Sequence, residues 1–185
     1  VGGYSVIDNI NGLNYLLGVS GKVTIEIFDE NEKVESVFKY DNTISDKTFR
    51  DVNYMIRNYF NNDCPNISDF YPWSGKPFST IVLLSDFFSF QKPETSFECI
   101  AFKTIKDCYK GTNLNTQRAR RVFIFNKNEA NGTIKSIVIG SLTPEILSYE
   151  SSYYEYVDSY VNLIKPIKKT NKKIMRITYD YIFKS

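Results

Sequence analysis

The chain has 185 residues and a mass of 21.5 kDa, with a formal net charge of +2 and a pI near 8.3, so no whole-chain field steers it to nucleic acid or to a membrane surface. It is long enough to fold as one domain with its own core, and a mean hydropathy of −0.31 goes with the absence of any apolar run near the roughly 18 residues that a membrane span needs. Histidine is absent, which removes the commonest general base and metal ligand and excludes Ser–His and Cys–His nucleophile pairs.

Residues 1–20 contain Gly2, Gly3, Gly12 and Gly18 among short apolar pieces. They read as an irregular arm suited to contact with a neighbour. No basic region precedes the apolar part, so the stretch does not read as a secretory signal; with no Met at position 1, a processed or partial chain is one reading of the start. From Gly21, the alternation of Val23, Ile25 and Ile27 with Thr24, Glu26 and Phe28 predicts a half-buried strand; residues 29–32 form a turn, and residues 34–40 return as the second strand of a hairpin.

Ser45 then caps a predicted helix over residues 46–60, whose stripe of Phe49, Val52, Ile56, Tyr59 and Phe60 has helical spacing and should pack on a sheet. The Pro-rich stretch 64–77 is a loop whose single Trp73 makes a candidate contact tip, for a protein or a glycan. Residues 81–84 predict a short buried strand. Residues 97–105 predict another, with Ile100 and Phe102 on one face. Residues 106–117 read as a loop, and Arg118, Arg120 and Arg121 as a small basic patch, an anion site in one reading and a solvated strand edge in the simpler one.

The most legible stretch is 121–142, where alternating β-branched and aromatic residues flank Asn131-Gly132. It predicts a β-hairpin with Val122 and Ile124, then Ile134, Ser136 and Val138, at alternate positions, the long connection after Asn126 calling for a bulged or wider turn. Thr143-Pro144-Glu145 is a helix start, giving a short second helix over about 144–150. The Tyr-rich residues that follow have Tyr149, Tyr153, Val157 and Tyr160 at helical spacing but β-prone composition, so strand or loop is expected next. Finally, Met175, Ile177, Tyr179, Tyr181 and Phe183 alternate with Arg176, Thr178 and Asp180 in a clear strand.

Three stretches, in this order along the chain, carry a resemblance: GKVTIEIFD at 21–29, TIVLLSD at 80–86 and ANGTIKSIVIGS at 130–141. They resemble segments of tailed-bacteriophage virion structural proteins of the tail-fibre and tail-accessory type. The resemblance implies a non-enzymatic structural component of a tail, fibre or connector-associated position, assembled in the bacterial host cytoplasm, whose partners are copies of itself and other virion proteins.

Taken together, the predicted elements describe a mainly β chain: an antiparallel β-sandwich over residues 21–185 with the 46–60 helix packed on it. Chemistry has little support. Cys64, Cys99 and Cys108 are odd in number and lack C-x-x-C spacing, so neither a zinc site nor a disulfide framework follows, and a reducing compartment fits; one Cys99–Cys108 bridge is sterically conceivable on paired strands. Phosphate-binding glycine loops and calcium-loop spacing are absent, and no cofactor is expected. The carboxylates fall mostly in turn-like stretches, where sequence spacing cannot set the separation of a glycosidase pair. Asn66-Ile67-Ser68 and Asn131-Gly132-Thr133 match the glycosylation acceptor, a pattern expected by chance in so Asn-rich a chain. The one charge feature is Lys165, Lys168, Lys169, Lys172, Lys173 and Arg176, a candidate anion- or nucleic-acid-binding run that reads otherwise as a solvated loop before the last strand. Leu13, Leu16, Leu17, Tyr149, Tyr153, Tyr156 and Tyr160, which lack a clear place in the sheet, are the candidate assembly contacts.

Overall fold

A computed structural model describes residues 19–44, 80–89, 98–104, 113–115, 118–140 and 157–183. These form ten strands: β1 Val19–Phe28, β2 Val34–Asp41, β3 Thr43–Ile44, β4 Thr80–Leu84, β5 Cys99–Thr104, β6 Asn113–Asn115, β7 Arg118–Phe125, β8 Gly132–Gly140, β9 Val157–Lys169 and β10 Ile174–Phe183. They make two antiparallel five-stranded sheets, ordered β2-β1-β10-β7-β6 and β3-β9-β8-β4-β5. No helix occurs among the described residues. The predicted helices at 46–60 and about 144–150, Trp73, Cys64, Cys108, Asn66 and most of the 1–20 arm lie outside them; β1 begins at Val19, two residues inside that arm.

Alternation explains the core. Val23, Ile25 and Ile27 of β1, Phe123 and Phe125 of β7, and Met175, Ile177 and Tyr179 of β10 project from one sheet. Ile81 and Leu83 of β4, Ile137 and Ile139 of β8, and Val161 and Leu163 of β9 join them from the other in a single apolar cluster. At about 25 cal/mol per Å² of apolar surface, this shared layer is the main stabilising contribution.

The two sheets differ on their outer faces. Thr80 to Leu84 are buried at every position, because Val82, Leu84, Val138 and Val157 form a second cluster on the far side with Phe88. The unbroken apolar sequence TIVLL is what a strand buried on both faces requires. Phe88 is tied down by paired hydrogen bonds with the Asn162 amide, its N–H donating to Oδ1 at 2.8 Å and its carbonyl accepting from Nδ2 at 3.0 Å. The outer face of the first sheet is instead polar and cross-linked by charge.

The β1–β2 hairpin is as predicted. Asp29 organises its turn by accepting from the N–H groups of Asn31 (2.8 Å) and Lys33 (3.0 Å). The stretch 121–142 is not a hairpin, because β7 pairs with β10 while β8 pairs with β9 and β4. Alternation fixes which way side chains face but not which sheet a strand joins, and residues 126–131 carry the chain from one sheet to the other. Facing differs as well. Arg121, Phe123 and Phe125 point inward on β7, leaving Val122 and Ile124 outward. On β8 a register irregularity between Ile134 and Ser136 reverses the phase, so Ile134 faces the shared core and Val138 the outer cluster.

Two further expectations are corrected by local irregularity. The break in the β4–β5 ladder at Leu83/Leu84 lets Ile100 and Ala101 both pack on the core, while Phe102 is exposed, so Ile100 and Phe102 do not share a face. Within the predicted 106–117 loop, β6 pairs with β7; that removes β7 from the sheet edge.

Candidate functional site: surfaces for contact

The basic run is not one surface. Lys165 through Lys169 belong to β9 rather than to a loop. Between the pairs Ser136↔Asn162 and Ile134↔Ile167, only Lys135 on β8 faces residues 163–166 on β9, so the latter form a bulge in which Leu163 stays in the core and residues 164–166 are exposed. Pro166, which has no N–H for a ladder, suits that break. Lys165 and Lys168 are exposed there, whereas Lys169 is buried. The others meet carboxylates: Lys172 lies 3.7 Å from Glu30, Lys173 is ion-paired with Glu35, and Arg176 grips Glu26 through two bonds of 2.9 and 2.8 Å. Arg176 and Glu26 are directly opposite across the β1–β10 ladder, which makes the match a cross-strand pair.

Arg120 and Arg121, both within β7, do not form a solvated patch either. Arg120 holds Asp180, its partner across the β7–β10 ladder, through two bonds of 2.7 and 3.1 Å. Arg121, on the opposite face, is buried at 2% exposure. The side chain of Arg118 lies outside the described residues.

Lys169 organises the end of the molecule where the chain crosses between sheets. Its Nζ donates toward Asn126 O (2.8 Å), Asn131 Oδ1 (3.1 Å), Thr170 O (3.3 Å) and Lys127 O (3.4 Å). One ammonium therefore fastens the 126–131 crossing to the 170–173 crossing, and Asn131, part of the glycosylation-like triplet, is engaged in it. Burial pushes the Lys169 pKa down, and the Glu129 carboxylate opposes that shift. Ala130, at φ 58°, provides the left-handed residue of the crossing.

Glu129 braces the same crossing. Its carboxylate accepts from the Asn126 N–H at 2.8 Å and from Lys103 Nζ at 3.1 Å, and the Asn126 bond, followed by Lys103 against the opposing effect of burial, holds its pKa below the usual glutamate range. A depressed carboxylate contributes stability above its unfolded pKa and loses it as pH falls through the folded value. Thermal melts should therefore show an acid-limb loss of stability beginning near about pH 4.3 that is smaller in Glu129→Gln. An identical acid limb in the variant would contradict this role.

Beside this crossing runs an open groove along β5, the last of the described strands in its sheet. One part, of about 670 Å³, is lined by Ser85, Glu98, Cys99, Asn131, Thr133 and Lys135, and the next, of about 410 Å³, by Ile100, Phe102, Lys103, Phe125 and Ala130. Cys99 is a half-buried thiol. Ser85 Oγ donates to the Glu98 carboxylate at 3.1 Å. Among the described residues, no three His, Cys, Asp or Glu side chains gather as metal ligands, and no helix is long and apolar enough to cross a membrane.

Large apolar side chains stand exposed around the periphery: Ile164 at 83%, Val34, Val37, Phe87 and Phe102. Of the candidate assembly residues only Tyr160 is described, and it has a firm place in β9. Its ring stacks obliquely on Phe88, with centroids 4.9 Å apart, and burial raises its pKa against a bond from Thr43. Sequence patterning missed Ile164, an apolar residue that alternation with the inward Val161 and Leu163 turns outward. Comparisons with family models, with curated proteins and with solved structures find no match to the chain.

Proposed function

We propose that this chain is a non-enzymatic β-sandwich module that works through protein–protein contacts, as a structural component of a tailed-phage particle. The observation that carries the reading is the division of the surface. The cations of the basic run are largely turned onto the protein's own carboxylates and carbonyls, while Ile164, Val34, Val37 and Phe102 project on the bulge and the outermost strands. Apolar residues at sheet margins serve partner recognition better than reaction chemistry. The particle context rests on the resemblance of the 21–29, 80–86 and 130–141 stretches to virion structural proteins.

The test is mass spectrometry of purified particles from the phage that encodes the chain. A fixed copy number relative to the major tail proteins is expected. Absence from particles would overturn the virion reading, and duplex-DNA binding that weakens steeply with salt would move the function to the 165–176 run.

A further inference from the structure

On the outer face of the second sheet, Ile164 points the same way as Asn162, whose amide holds Phe88. At 83% it is the most exposed large apolar side chain among the described residues. Lys135 stands across the ladder from the bulge, with its Nζ 5.7 Å from the centre of the Phe87 ring, and Phe87 is itself 47% exposed. Lys168, opposite Thr133, continues this face, and Lys165 is exposed within the bulge. An isoleucine, a phenylalanine and three lysines thus share one margin.

Two features set this margin apart. Lys172, Lys173 and Arg176 meet carboxylates of the first hairpin, whereas Lys135, Lys165 and Lys168 have no carboxylate within ion-pair distance among the described residues. Their charge faces solvent. Edge protection accounts for part of this, because past Tyr160 strand β9 has β8 as its one neighbour among the described strands, β3 pairing with Ser159 and Tyr160 alone. The bulge, Pro166 and the lysines already keep a further strand from adding there. Ile164 contributes nothing to that protection, yet it holds an apolar side chain in water beside three cations.

We infer that this margin is a docking site for an acidic segment of another protein, which sets carboxylates on Lys135, Lys165 and Lys168 and one large apolar side chain on Ile164 and Phe87. Charge complementarity selects the occupant. Nucleic acid fits less well, because its charge is continuous, whereas Asp86, next to Phe87, is exposed; a peptide can set an uncharged residue there and a phosphate chain cannot. Ile164, the most exposed apolar group, also offers a base no flat ring to stack on.

This deepens the contact-module reading and rests on it for its biological setting. The test is a titration of the 185-residue chain with the capped pentapeptide Glu-Glu-Leu-Glu-Glu, followed by backbone amide shifts in NMR. Shifts should centre on Lys135, Ile164, Lys165 and Lys168, with a millimolar dissociation constant. The double variant Lys135→Glu/Lys168→Glu, and separately Ile164→Ser, should each weaken binding by at least about tenfold while keeping the circular dichroism spectrum. No shifts at the bulge, equal shifts with Lys-Lys-Leu-Lys-Lys, equal affinity for Glu-Glu-Ser-Glu-Glu, or tighter binding of an oligothymidylate at the same amides would overturn the inference. A chain that ignores the acidic peptide but is present at fixed copy number in particles sinks this site alone; one that binds the peptide but is absent from particles sinks the virion reading alone.

Discussion

Lys169→Met should lower the unfolding free energy by about 3 kcal/mol or more, since each buried polar group left without a partner costs about 1–3 kcal/mol. Methionine keeps much of the apolar stem and removes the ammonium. Asn126 O, Asn131 Oδ1, Thr170 O and Lys127 O then lose the donor they share at a site where Lys169 is 1% exposed. Two crossings between sheets depend on that donor, so the damage is not confined to one loop. For a domain of this size the melting temperature should fall by roughly 6–12 °C, read by calorimetry. A fall below about 2 °C would mean that water replaces the ammonium and that the crossing holds itself.

Gly21→Ala should destabilise by about 2–3 kcal/mol, an effect of overpacking rather than of backbone freedom. A Cβ at this position would strike Asn42 Oδ1, with the Tyr179 hydroxyl at 2.6 Å and Asn42 Cγ at 2.7 Å. None of the three can retreat easily. The Tyr179 hydroxyl donates to Ser159 Oγ at 2.6 Å and bridges the two sheets, while Asn42 is buried where the chain passes from β2 to β3 and bonds through its N–H to Gly21 O at 3.1 Å. Neither side-chain polar atom of Asn42 has a partner among the described residues. Removing that amide in Gly21→Ala/Asn42→Ala should therefore recover part of the loss, a non-additivity that urea unfolding would register. Simple addition of the two effects would contradict the clash.

Strands with one-sided burial were the most legible part of the sequence. In β1 and β10 the inward Val23, Ile25, Ile27, Met175 and Ile177 are separated by polar or charged neighbours, and period-two patterning reports such strands directly. The β7–β8 connection was misread for a physical reason. Asn131-Gly132 has the chemistry of a tight turn, but the residue deciding its path, Lys169, is 38 positions away from Asn131 and leaves no local signal. Bulges did the rest. Ile100 joins the core because it lies where the ladder slips, and a slip inverts every assignment made by counting in twos. The basic run looked continuous in sequence because its partners, Glu26, Glu30 and Glu35, come from the first hairpin. Only the β1–β10 pairing brings them within reach.

Hydrogen–deuterium exchange on the isolated chain and on intact particles tests most directly whether contacts at exposed margins are how this protein acts. The account predicts that β2 and the 163–166 bulge gain protection on assembly, while the core strands β1 and β10 exchange alike in both states. Unchanged exchange at both margins in chains incorporated in particles would contradict it.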